Sequence, residues 1–119
     1  MNDERTGVSP ELDVNTVRDL LDTLGPNAAL ALARITASFL QSSSENLAAL
    51  AQAARNQDAI GLHAAAHSLK GSAGMLGATR VAALCRQLES TGAATPQELN
   101  DLTQARDAAE TAWRERLAG

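Results

Sequence analysis

The chain has 119 residues, a formal net charge of −4 at neutral pH, and 45% hydrophobic residues, with aromatics limited to one Phe and one Trp. That length suits one small domain with its own core, and the acidic balance excludes the clustered Lys and Arg of a nucleic-acid footprint. A single cysteine, Cys85, excludes an internal disulfide, and no apolar run is long enough to span a bilayer.

Abundant alanine with few aromatic and β-branched residues favours closely packed helices over sheets. Residues 1–9 read as a polar leader without periodicity, expected to be flexible, and the domain is expected to span 10–119. Ser9 and Pro10 are suited to open a helical turn, with Asp13 or Asn15 as alternative N-caps. Val17, Leu20, Leu21 and Leu24 then form one face of a short helix of about three turns, which Gly25-Pro26 stops. A long helix follows from Asn27 to Arg55. Its buried side is assigned to Leu32, Ile35, Phe39, Leu40, Leu47, Leu50 and Ala54. The apolar register loosens over Gln41 to Glu45, but no Gly or Pro enforces a break, so one helix is expected. Asn56-Gln57-Asp58 makes the next connection, and Asp58 is a good N-cap.

The central helix is expected over Ala59 to Met75, ending near Gly77 as its C′ residue. Another begins near Ala78, carries Val81, Leu84, Cys85 and Leu88 on one face, and closes in the segment 90–94 that contains Gly92. On that face Cys85 reads as a small buried side chain. Thr95-Pro96-Gln97-Glu98 is a capping box with proline at the first helical position. Leu99, Leu102, Ala105, Ala109, Trp113 and Leu117 carry the last helix nearly to the C-terminus. Four long helices on short connections pack as an all-α, antiparallel four-helix bundle with a short additional N-terminal helix.

One stretch departs from ordinary bundle chemistry. Ala66 to Gly77 reads AHSLKGSAGMLG, with three glycines, a histidine and a lysine. On helical geometry Leu62, Ala66, Leu69, Ala73 and Leu76 stack as the apolar stripe, and His67 projects about 140° from its centre. Lys70, Gly71 and Gly74 fall near His67, with His63 one turn earlier. Glycine costs about 1 kcal/mol relative to alanine inside a helix, so two of them beside an exposed ring suggest close approach by another molecule. His63 and His67 also have the spacing of a helical zinc pair. The residues between them are all alanine, with no glutamate to act as a general base, and the sequence nominates no third ligand.

The run His67-Ser68-Leu69-Lys70-Gly71, followed by Gly74, Leu76 and Gly77, resembles the histidine-containing phosphotransfer domain of bacterial multistep phosphorelays. The resemblance continues through residues 78–89 and covers about Leu12 to Leu117. It implies that His67 accepts the phosphoryl group and that Lys70 contacts its oxygens. Gly71 and Gly74 would then leave room for a docking receiver domain, with His63 on the rim. In some members a side chain from the next helix orients the imidazole. Glu89 falls at that place, where several members have glutamine, and Gln87 is the alternative.

A neutral imidazole is nucleophilic near neutral pH, in keeping with such a role. The resemblance further implies a stoichiometric phosphocarrier rather than an enzyme, since neither an ATP-binding signature nor a Mg2+-holding carboxylate cluster is present. No metal or cofactor is expected on this chain, and Mg2+ would sit on the partner receiver domain. The expected partners are response-regulator receiver domains and a hybrid sensor kinase, of which such a domain can itself be a part. A cytoplasmic monomer without nucleic-acid or membrane partners is expected. Two other uses of the same residues stay open: a binding module of this fold whose histidine is never phosphorylated, and a histidine-based zinc bundle.

Overall fold

A computed structural model describes residues 12–118 of the chain. The leader at 1–9 and a helical start at Ser9-Pro10 lie outside the described residues. The elements are α1 (Val14–Leu24), a 3-10 turn (Gly25–Asn27), α2 (Ala28–Arg55), α3 (Ala59–Met75), α4 (Thr79–Thr91) and α5 (Pro96–Ala118). The four long helices form a closed ring in which α2 packs on α3, α3 on α4, α4 on α5 and α5 on α2. Short connections make successive neighbours antiparallel, and α1 lies against α2.

Asp13 is the N-cap of α1, in preference to Asn15. Its carboxylate accepts the Asn15 backbone N–H at 3.0 Å and the Thr16 hydroxyl at 3.0 Å. Gly25 ends that helix with φ +79°, a conformation that side chains disfavour. At the far end of the chain the capping box is complete. The Glu98 N–H donates to Thr95 Oγ1 at 3.1 Å, and the Thr95 N–H donates to Glu98 Oε1 at 2.8 Å.

Helix α2 runs unbroken through the polar stretch at 41–45. The reason is tertiary. Arg106 of α5 donates from Nε to Ser43 Oγ at 2.7 Å, and from Nη2 to the Leu40 carbonyl at 2.9 Å and Ser44 Oγ at 2.8 Å. Ser43 is wholly buried, and its hydroxyl also reaches back to the Leu40 carbonyl at 2.9 Å. The serines therefore form a socket for a guanidinium, which uses its fork of donors on several acceptors at once.

One expected core residue of α2 is not in the core. Ile35 is 38% exposed, while Thr36 is buried, its hydroxyl donating to the Leu32 carbonyl at 2.9 Å. The buried face runs Leu32, Thr36, Phe39, Ser43, Leu50, Ala53. Ile35 sits about 100° round the helix from Thr36. There it lines an open groove of about 320 Å³ with Leu20, Phe39, Met75 and Leu76.

The connection from α3 to α4 is gripped from two sides. Trp113, buried on α5, donates its indole N–H to the Leu76 carbonyl at 3.2 Å and meets Phe39 edge-on at 5.4 Å between centroids. From the other side the Asp13 N–H donates to the Gly77 carbonyl at 2.7 Å. Gly77 has φ +76°, and a Cβ there would lie 3.0 Å from the Asp13 carbonyl oxygen and 3.2 Å from Thr16 Cβ. Glycine is required at this turn by both its backbone angle and the space available.

Candidate functional site

The site grows out of the way α3 divides its two faces. Asp58 caps the helix by accepting the Gly61 N–H at 2.9 Å. Leu62, Ala66, Leu69, Ala73 and Leu76 are buried, so the stripe read from their spacing is the packed face. His63 and His67 stand on the other side with side chains 59% and 68% exposed. Their rings lie nearly parallel, at 8°, with centroids 6.2 Å apart, as residues one helical turn apart can do.

Helix α4 places Glu89 beside them. Glu89 Oε2 lies 2.8 Å from His67 Nδ1, and Oε1 lies 2.5 Å from Lys70 Nζ. An ionised carboxylate only accepts hydrogen bonds, so Nδ1 carries the proton and donates it. The bare nitrogen of the His67 ring is then Nε2, which keeps its lone pair. His63 Nε2 lies 3.6 Å from the same Oε2. Only 9% of the Glu89 side chain is exposed, so one carboxylate faces three nitrogen-bearing side chains of α3.

The hydrogen bonds from Lys70 and then His67 hold the Glu89 carboxyl below the usual carboxylate range, against an opposing push from burial. A carboxyl lowered in the folded state stabilises the fold above its unfolded pKa, and loses that contribution as pH falls through the folded value. Wild type should therefore lose stability more steeply than Glu89→Gln as pH drops below about 4, where an unfolded glutamate protonates. Urea midpoints measured from pH 6 to pH 2 check this, and parallel curves would contradict it.

Around the ring the surface is bare. A Cβ built on Gly71 or Gly74 would meet nothing within 4 Å. Neither glycine serves a tight helix–helix contact. Ile60, 85% exposed, continues the histidine face of α3, and Met75, 77% exposed, borders the groove beside Ile35. Neither was singled out from the sequence, although Ile60, His67 and Gly74 follow one another at a seven-residue spacing that keeps to one helix face. Gln87 is exposed and two residues from Glu89, so it lies about 200° round α4 from the residue that meets the imidazole. Cys85 is buried on the inner side of α4, and its thiol is pushed up to about 12, chiefly by burial and further by the charge of Glu89. Among the described residues no group of three or more His, Cys, Asp or Glu side chains is arranged to hold a metal ion.

Residues 34–117 match the Hpt domain family. The chain belongs to that family. Hpt domains are phosphocarriers that work with receiver domains and kinases, and the function of this chain is histidine phosphotransfer in phosphorelay signalling. Its fold is similar to the crystal structure of histidine-containing phosphotransfer protein B (HptB) from Pseudomonas aeruginosa PAO1. The TM-score is 0.79 at 22% identity, over 92% of this chain and 96% of that one. Among proteins of curated function none matches the sequence. As in the all-α bundle expected from the sequence, the Hpt helices α2 to α5 carry the domain and α1 is the short addition. No helix among the described residues is long and apolar enough to cross a membrane.

Proposed function

We propose that His67 is the residue of this Hpt domain that takes up the phosphoryl group from a receiver aspartate and passes it on. The observation that carries this reading is the 2.8 Å contact between Nδ1 and Glu89 on a ring that is otherwise exposed. That contact fixes the tautomer and leaves the Nε2 lone pair available. In the forward step the lone pair attacks phosphorus, the N–P bond forms, and the bond from phosphorus to the aspartyl oxygen breaks. The ring becomes more positive as it does so, and Glu89 stabilises that charge by holding the Nδ1 proton. Lys70, paired with Glu89 in the free protein, swings to the phosphoryl oxygens and neutralises part of their charge. Phosphoryl transfer depends mainly on such positioning and neutralisation.

Mg2+ is assigned to the receiver, and this chain needs no cofactor and no ATP site of its own. The partners are receiver domains of response regulators and of a hybrid sensor kinase, and the carrier works as a cytoplasmic monomer. Gly71, Gly74 and the rim residue His63 make the surface on which the receiver seats. Incubation with a panel of phosphorylated receiver domains tests the reading. Acid-labile, base-stable phosphate on this chain is the expected product, and its absence with every receiver would overturn the proposal.

The open surface at Gly74 has its own test. Gly74→Ala should keep or raise stability by up to about 1 kcal/mol, because alanine is the better helix former. Gly74→Gln should slow transfer from a receiver far more than it changes the unfolding midpoint. Phosphoramidate, which needs no broad docking surface, should phosphorylate Gly74→Gln at close to the wild-type rate. Equal slowing with both donors would mean that the glycine does not serve access.

A further inference from the structure

Glu89 Oε2 is approached by two imidazoles, and the phosphotransfer reading uses only one of them. We propose that His63 is a positioning residue, which sets the orientation of the His67 ring through the carboxylate that the two histidines share. The inference rests on the assignment of His67 given above.

His63 Nε2 stands 3.6 Å from Glu89 Oε2, and His67 Nδ1 stands 2.8 Å from the same atom. The shorter distance is a hydrogen bond and the longer is not. At 3.6 Å, however, a protonated imidazole interacts strongly with a carboxylate as a charge. The groups that face Glu89 are His63, His67 and Lys70 from α3, together with the neutral, buried thiol of Cys85 on its own helix. Lys70 occupies Oε1. An approaching His63 therefore comes to Oε2, where it draws on the same negative charge that holds the His67 proton.

His63 has room to make that approach. Its ring borders an opening of about 340 Å³ lined by Ile60, Glu89, Ser90 and Gly92, and its side chain is mostly exposed. Histidine is the side chain whose charge changes between about pH 5 and 8. Neutral His63 leaves Oε2 to His67, whose Nδ1 proton is then held and whose Nε2 is presented. Protonated His63 is drawn onto Oε2 and loosens that hold. It also places a second cation beside a ring that must become more positive as the N–P bond forms. Both consequences act in the same direction, so transfer to His67 weakens as His63 gains its proton. This effect is separate from the protonation of His67 itself.

The test uses the full, unphosphorylated chain and nitrogen-15 NMR of the imidazoles from pH 5 to pH 8.5. The His67 ring signals should shift in two steps in wild type and in one step in His63→Gln. At the acid end of the range His63→Gln should retain more of the Nδ1–H tautomer. Phosphorylation by phosphoramidate gives a second readout that does not depend on docking. The rate of His63→Gln relative to wild type should rise by about twofold to tenfold from pH 8 to pH 6, the equilibrium worth of one hydrogen bond. His63→Arg, which stays charged, should be slower than His63→Gln at pH 8 by about the factor that separates wild type from His63→Gln at pH 6. Single-step titration of His67 in wild type, or superimposable rate profiles for wild type and His63→Gln, would overturn the inference. A two-step titration in a chain that takes up no phosphate would instead count against the phosphoacceptor assignment and leave the shared carboxylate standing.

Discussion

His67→Gln is expected to abolish labelling by a phosphorylated receiver while leaving helical content unchanged. The ring is 68% exposed and contributes nothing to the buried stripe of α3, so its loss should barely touch the fold. Glutamine also keeps a polar side chain near Glu89 and avoids stranding the carboxylate. His63→Gln should still be labelled, because the nitrogen that attacks belongs to the other ring. Circular dichroism and a phosphate assay after acid and base treatment check both variants. Labelling that survives in His67→Gln would place the phosphoacceptor elsewhere.

The largest effect on stability should come from Trp113. Its side chain is buried, meets Phe39 edge-on, and donates to the Leu76 carbonyl where α3 gives way to α4. Trp113→Ala removes that volume and that donor together, and should cost about 3–5 kcal/mol. For a domain of this size the loss lowers Tm by about 10 °C or more. Trp113→Phe keeps an aromatic ring against Phe39 but not the N–H, and should cost about 1–3 kcal/mol. Urea unfolding followed by circular dichroism separates the two. A cost below about 1 kcal/mol for Trp113→Ala would mean that the end of α3 is held by the Asp13 contact alone.

The parts of this structure that were legible in the sequence are those governed by local rules. Helix periodicity placed Leu62, Ala66, Leu69, Ala73 and Leu76 on the packed face of α3, and all five are buried. Short-range chemistry placed Asp58 at the start of that helix and the Thr95–Glu98 box at the start of α5. The sequence failed where partners are distant along the chain. Nothing near Ser43 announces Arg106, which arrives from 63 positions away and turns a polar interruption into part of the interior. The same interruption blurred the register of α2, and Ile35 was assigned to a face that belongs to Thr36. At the site, the outward direction of His67 came from periodicity, and its likeness to a known motif gave the chemistry. The three-way convergence on Glu89 needed the packing of α4 against α3.

Cys85 offers a further use of that packing. It is the chain's one cysteine, buried one helical turn before Glu89 on α4, with a thiol far too weakly acidic to react at neutral pH while folded. Alkylation in native buffer therefore has to wait until α4 lifts away from the core. The rate at which a reagent such as iodoacetamide consumes the thiol then becomes a clock for that opening. Nature has supplied the reporter, so the clock runs on the unmodified protein. Read in the presence and absence of a bound receiver, it would measure how far docking on the outer face of α3 tightens the helix behind it.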